Sequence, residues 1–169
     1  MEYLILDGYN IINSWGDFFN LKEDSLEECR NKLLNTLSNY QGYKKANIIV
    51  VFDAHMVKDS QEKVEYFDNI KVVFTKENET ADNYIERFVY KYGSTHIIRV
   101  VTSDYLEQTL VMSKGGIRIT PRELKLEIEN VCREERKVLK NKPVNTNSLM
   151  NHLKPELLKE LEKIRRSKF

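Results

Sequence analysis

The sequence predicts an α/β sandwich built on a mainly parallel sheet. Strand-like and helix-like segments alternate from the first residue to about residue 140, the pattern of a sheet covered by crossover helices. The strand-like segments are short, continuous apolar runs rich in β-branched residues, as expected of strands buried on both faces. Carboxylates sit where these runs end: Asp7 follows Tyr3-Leu4-Ile5-Leu6, Asp53 follows Ile48-Ile49-Val50-Val51-Phe52, and Asp104 lies three residues beyond Ile97-Ile98-Arg99-Val100-Val101. Ligands of open α/β sheets gather at the carboxyl ends of such strands.

Each element has its own signal. The first strand stops at Asp7-Gly8, where glycine permits a sharp turn. A helix is expected from Ser25 to Tyr40, with Leu26, Cys29, Leu33, Leu37 and Tyr40 on one stripe and Ser25/Glu28 spaced as a capping box. The second strand covers 47–53. Residues 54–69 are polar and carry no assigned element. A third strand, Ile70 to Thr75, precedes a helix that starts near Glu79-Thr80 and places Ala81, Tyr84, Ile85, Phe88 and Val89 on one face. The fourth strand, 97–101, leads through Thr102-Ser103 into a helix over 104–113 with Ser103 as N-cap. A short strand follows at Ile117 to Ile119. Thr120-Pro121-Arg122-Glu123 combines an N-cap, proline at the first helical position and glutamate at the third, opening a helix that runs to about residue 140. Pro143 and Asn145-Thr146-Asn147-Ser148 read as a linker before a last helix over 155–166. The expected organisation is one domain over 1–140, then a linker and basic helix over 141–169.

A chain of 169 residues suits one domain with a tail. No segment approaches the roughly 20 apolar residues of a membrane span, and the N-terminus has no secretory pattern, so a cytoplasmic protein is expected. Cys29 and Cys132 lack ligand-spaced neighbours and read as free thiols in a reducing compartment. Net charge is +1, but residues 133–169 hold 11 Lys/Arg against 5 Asp/Glu, leaving 16 against 21 in residues 1–132. A basic segment of this kind suits a polyanion partner, because each cation near a phosphate releases counterions; a solvated helical face is the alternative. In the last helix, Leu157, Leu158, Leu161 and Ile164 are expected to dock on the body, with Lys159, Lys163, Arg165 and Arg166 facing solvent or RNA.

If the acid-tipped strands are neighbours, their carboxylates converge and repel, and protons or a hard cation must neutralise them. A divalent ion is the simplest solution. Asp7 has the competing role of capping a turn, while Asn10 returns a neutral oxygen or amide to the same crevice. Glu79 and Asp82 stand i, i+3 at a helix start, with Glu86 on the same side. There a carboxylate also complements the helix dipole without any ligand. Asp82 is the stronger candidate, because it flanks the apolar stripe that begins at Ala81. Ser103 and Asp104 have capping roles of their own, and Asp53 is open between ligand and support.

Other chemistries lack their signatures. An aspartyl-phosphate enzyme needs a second Asp two residues after the first, where this chain has Tyr9. There is no Walker loop, no GxGxxG, no HExxH and no Ser/His/Asp set. His55 is open to a phosphate contact or a structural hydrogen bond. Tyr9, Trp15 and Phe18 are open to stacking on bases or to core packing.

Four blocks, Leu4-Ile5-Leu6-Asp7-Gly8-Tyr9-Asn10-Ile11-Ile12, Val50-Val51-Phe52-Asp53-Ala54, Glu79-Thr80-Ala81-Asp82-Asn83-Tyr84-Ile85 and Val100-Val101-Thr102-Ser103-Asp104, occur in this order. Together they resemble the NYN domain nucleases, specifically the bacterial YacP-like group. The resemblance spans most of residues 3–135. It implies a PIN-like three-layer fold whose acidic cluster binds Mg²⁺ or Mn²⁺ and cuts RNA. By position, it implies Asp7, Asp82 and Asp104 as the metal-binding catalytic acids, Asn10 as a neighbouring polar ligand, and Glu79, Asp53 and Ser103 as supporting residues. It further implies an association with the ribosome and messenger RNA turnover. The expected function is thus a metal-dependent endoribonuclease. The alternative is a non-catalytic RNA- or ribosome-binding module of the same fold.

Overall fold

The computed structural model of the chain describes residues 1–53 and 61–141, without the side chains of residues 105–107, 135 and 138–141. His55, the linker and the last helix, with Lys159, Lys163, Arg165 and Arg166, lie outside the described residues. The chain divides into two compact units, Met1–Cys132 and Arg133–Phe169. All six strands belong to the first.

In chain order the elements are β1 (Glu2–Asp7), α1 (Gly8–Ser14), α2 (Leu26–Lys44), β2 (Asn47–Phe52), β3 (Lys63–Phe67), β4 (Ile70–Phe74), α3 (Ala81–Tyr92), β5 (Ile97–Val101), α4 (Tyr105–Ser113), β6 (Ile117–Ile119) and α5 (Pro121–Asn141). The sheet order is β3-β4-β2-β1-β5-β6. Every pairing is parallel except β3 with β4. From β1 the chain adds β2, passes to β3 at the edge, returns through the β3–β4 hairpin to place β4 beside β2, and then crosses to the other side of β1 for β5 and β6. The topological switch therefore lies between β1 and β5, where the carboxyl ends of two strands diverge into a crevice.

Strand alternation divides the core into two layers. Leu4, Leu6, Ile48, Val50, Phe52 and Val72 face α1, α2 and α5, whereas Ile5, Ile49, Val51, Val73, Ile98 and Val100 face α3 and α4. Both faces of the central strands are thus buried, which is why their sequences run apolar without interruption. The expected three-layer α/β sandwich is the observed architecture. No described helix is long and apolar enough to cross a membrane.

Two elements depart from the sequence reading by existing at all. α1 follows Asp7 directly, where only a turn was expected. β3 fills part of the segment left unassigned; it is an edge strand with Lys63, Val64, Glu65 and Tyr66 exposed, so burial left no apolar run to detect. Its sequence signals were alternation and the two-residue connection Asp68-Asn69, with Asp68 at φ 51°. The α4 start also needs correction. Asp104, not Ser103, occupies the capping position: its carbonyl accepts the Gln108 N–H at 3.0 Å, and the helix begins at Tyr105. Ser103 spends its hydroxyl elsewhere. The capping boxes at Ser25/Glu28 and Thr120/Glu123 form as expected.

Candidate active site

Asp7 closes β1 at the switch point. Its Oδ1 accepts the N–H groups of Tyr9 at 2.9 Å and Asn10 at 3.1 Å, fixing the carboxylate while it caps α1. The chain turns tightly here because Gly8 lies against the Phe52 ring: a Cβ at residue 8 would sit 2.2 Å from Phe52 Cε1. Burial pushes the Asp7 carboxyl above the usual range. The amide of Asn10 opposes that shift, the negative charge of Asp82 adds to it, the amide of Tyr9 opposes it, and Asp53 adds to it again. Asp7, Asp53 and Asp82, from β1, the end of β2 and the first turn of α3, therefore share one electrostatic field.

The opposite wall is built from β5. Thr102 is fully buried; its N–H donates to the Ile119 carbonyl, and its carbonyl accepts from Gln108 Nε2 at 2.9 Å. Gln108 Oε1 in turn accepts from Arg118 at 3.0 Å, and Thr102 Oγ1 accepts the Asp104 N–H at 3.1 Å. This network sets the backbone from which exposed Ser103 and Asp104 project. Ser103 Oγ donates to Asn10 Oδ1 at 3.0 Å across the crevice.

Glu79 goes a different way. It is buried, and its Oε1 forms an ion pair with Arg87 at 3.0 Å; Arg87 also binds Glu62 at 3.1 Å. Glu79 Oε2 has no hydrogen-bond partner among the described residues. Asp82 is exposed beside the Thr80 cap, which accepts the Asn83 N–H at 3.2 Å. The structure thus associates Asp7 with Asp82 and Asp53, and Asn10 with Ser103, while tying Glu79 to Arg87.

Of the aromatic residues, Trp15 is core: it donates Nε1–H to the Pro121 carbonyl at 2.9 Å and stacks on Phe19. Tyr9 packs edge-on against Phe52 and accepts a hydrogen bond from Arg30 at 3.2 Å. Phe18 is half exposed. Sequence reading missed Arg87 and Gln108. Arg87 carried no sequence signal as a partner of Glu79, which precedes the Thr80 cap and so lies outside α3.

Among the described residues no three His, Cys, Asp or Glu side chains are gathered closely enough to hold an ion by themselves. The donor chemistry nevertheless fits a hard cation, since the crevice offers carboxylate and amide oxygens. Magnesium keeps several waters and needs only one or two carboxylates beside substrate phosphates.

The family model for the YacP-like NYN domain matches residues 4–166. The chain is 40% identical over 171 residues to the "Uncharacterized protein YacP" of Bacillus subtilis, covering 98% of each sequence. It is similar to the crystal structure of Rae1 (YacP) from Bacillus subtilis, with a TM-score of 0.67 and 40% identity over 99% of this chain and 96% of that one. A mutant form of the same protein matches with a TM-score of 0.67 at 38% identity, covering 85% and 86% of the two chains. NYN domains are typically nucleases, and nucleases of this PIN-like kind generally use divalent metals. With the family model matching nearly the whole chain, the protein belongs to the YacP-like NYN domain family.

Proposed function

We propose that the protein is a metal-dependent endoribonuclease, with Asp7, Asp82 and Asp104 as its metal-binding acids. The observation that carries this reading is the half-buried Asp7 at the switch point, its carboxyl raised by partial burial and by the charges of Asp82 and Asp53. A carboxylate held in that state gains from a cation more than an isolated surface acid does. Asp7 contributes a fixed oxygen, because two backbone amides already orient its carboxylate. Asp82 contributes charge from an exposed helix start, and Asp104 does so from the β5 wall. Asn10, clasped by Ser103, presents its amide beside them. Asp53 supports through its charge. Glu79, committed to Arg87, supports by holding the start of α3. A bound Mg²⁺ or Mn²⁺ would lower the pKa of a water and stabilise the leaving oxygen of a phosphodiester.

The substrate we infer is RNA, messenger RNA on the ribosome in particular. The surplus of Lys/Arg in residues 133–169, including Lys159, Lys163, Arg165 and Arg166, supports it. RNA incubated with Mg²⁺ should be cleaved by the wild type, spared in EDTA, and spared by a folded Asp7→Asn protein. Undiminished cleavage by Asp7→Asn eliminates the role given to Asp7.

The basic surplus of residues 133–169, which would serve binding without any metal, also suits a second reading, a non-catalytic RNA- or ribosome-binding module. Ribosome binding that survives Asp7→Asn, with no metal-dependent cleavage, would select it.

A further inference from the structure

The flank of α3 facing β4 encloses a groove of about 310 Å³, away from the carboxylate crevice. Lys71, Arg87 and Lys91 line it with Phe88 and Tyr92, and Glu62 is its carboxylate. Arg87 is held by Glu62 and Glu79, with its guanidinium 5.2 Å from the centre of the Tyr84 ring. Lys91 Nζ lies 5.2 Å from the centre of the Tyr92 ring. Neither Lys71 nor Lys91 forms an ion pair among the described residues. Two cations without a carboxylate partner there therefore share one groove, in a body where residues 1–132 carry 16 Lys/Arg against 21 Asp/Glu. Like charges placed together gain from a common counter-anion.

Position adds direction. α3 joins parallel strands β4 and β5, so it runs back along the sheet; its first turn carries Asp82 at the carboxyl edge and its last turn carries Lys91. At 1.5 Å per residue the two lie about 13 Å apart along the axis. Lys71 stands near the start of β4, at the same far end. A chain of phosphates leaving the carboxylate crevice would meet first Arg87, then Lys71 and Lys91, with Phe88 and Tyr92 as partly exposed rings beneath. Cations that track a backbone above aromatic faces are the features by which proteins hold single strands.

We propose that this groove binds the phosphate backbone of single-stranded RNA extending from the cleavage site, with Lys71 and Lys91 as the contacting cations. The proposal rests on the reading that RNA is the substrate. Lys71→Gln/Lys91→Gln should be compared with Lys22→Gln/Lys44→Gln, an equal loss of charge at exposed positions outside the groove. The full-length proteins are titrated with a labelled oligouridylate in EDTA from about 50 to about 200 mM salt, and melting curves confirm that each folds. Loss of the two groove lysines should flatten the dependence of log K on log salt by about 1.4, at roughly 0.7 per single-strand phosphate contact, and the control pair should leave it unchanged. An unchanged slope in the groove variant, equal flattening in the control, or no binding by the wild type overturns the proposal. Cleavage in Mg²⁺ separates the two readings. A wild type that binds with a groove-dependent slope yet never cleaves sinks the nuclease and keeps the groove. One that cleaves with an unchanged slope does the reverse.

Discussion

Ser103 donates its hydroxyl to Asn10 Oδ1 at 3.0 Å, joining the chain just after β1 to the chain just after β5. This bond spans the switch point between the parallel neighbours β1 and β5. It holds the Asn10 amide over the crevice without fixing the fold, since both side chains lie at the surface of an otherwise buried junction.

Ser103→Ala should therefore cost less than about 1 kcal/mol of stability, the net value of one hydrogen bond, while lowering kcat/KM for RNA about fivefold. Urea denaturation and cleavage kinetics measure the two separately. A loss of stability without a loss of activity would assign the bond to the scaffold alone.

Gly8 meets a steric limit set by Phe52. Gly8→Ala should destabilise by about 1–3 kcal/mol, because the added methyl group must displace the ring. Adding Phe52→Leu should recover part of the loss. Additive destabilisation in denaturant titrations would place the cost elsewhere.

Arg87 neutralises Glu79, which is 7% exposed. Arg87→Met leaves a buried charge; because Arg87 itself is half exposed, the cost should be about 2–3 kcal/mol, below the roughly 3–5 kcal/mol of a fully buried pair. Glu79→Gln in the same chain should restore much of it, as thermal or chemical unfolding would reveal.

Tyr40 on α2 donates to Glu127 Oε2 on α5 at 2.8 Å, and Glu127 Oε1 accepts from Arg99 on β5 at 2.5 Å. Burial, then the Glu127 bond, pushes the phenol up to about 12. Below pH 10 the phenol is protonated in both folded and unfolded chains, so its full contribution is present. Between about pH 10 and the folded value of about 12 only the unfolded chain ionises, and stability falls as pH rises. The stability difference between wild type and Tyr40→Phe should shrink across that window; a constant difference would contradict this origin.

The central strands were legible because burial on both faces leaves an unbroken apolar signature, as in Ile48-Ile49-Val50-Val51-Phe52. No such run marks β3, whose exposed Val64 and Tyr66 alternate with Lys63 and Glu65 on an edge. α1 was hidden because Asp7 serves at once as strand end and helix cap, leaving none of the usual loop between them. In the candidate site, sequence spacing put Asp7 and Asp53 at strand ends and Asp82 at a helix start, but it did not give the side-chain partners of Glu79 and Ser103. Glu79 faces Arg87 rather than Asp7, and Ser103 faces Asn10 rather than the α4 amides, because those choices depend on packing between distant segments.

The most direct measurement is cleavage of end-labelled RNA by wild type and Asp82→Asn across a Mg²⁺ or Mn²⁺ titration. Asp82 is exposed at the first turn of α3, so the substitution should leave the protein folded, as a melting curve checks. Metal-dependent cleavage by the wild type is expected, with at least a hundredfold loss, on the order of 3 kcal/mol in the barrier, in the variant. Equal cleavage by the two proteins, or wild-type cleavage that persists in EDTA, would contradict that expectation.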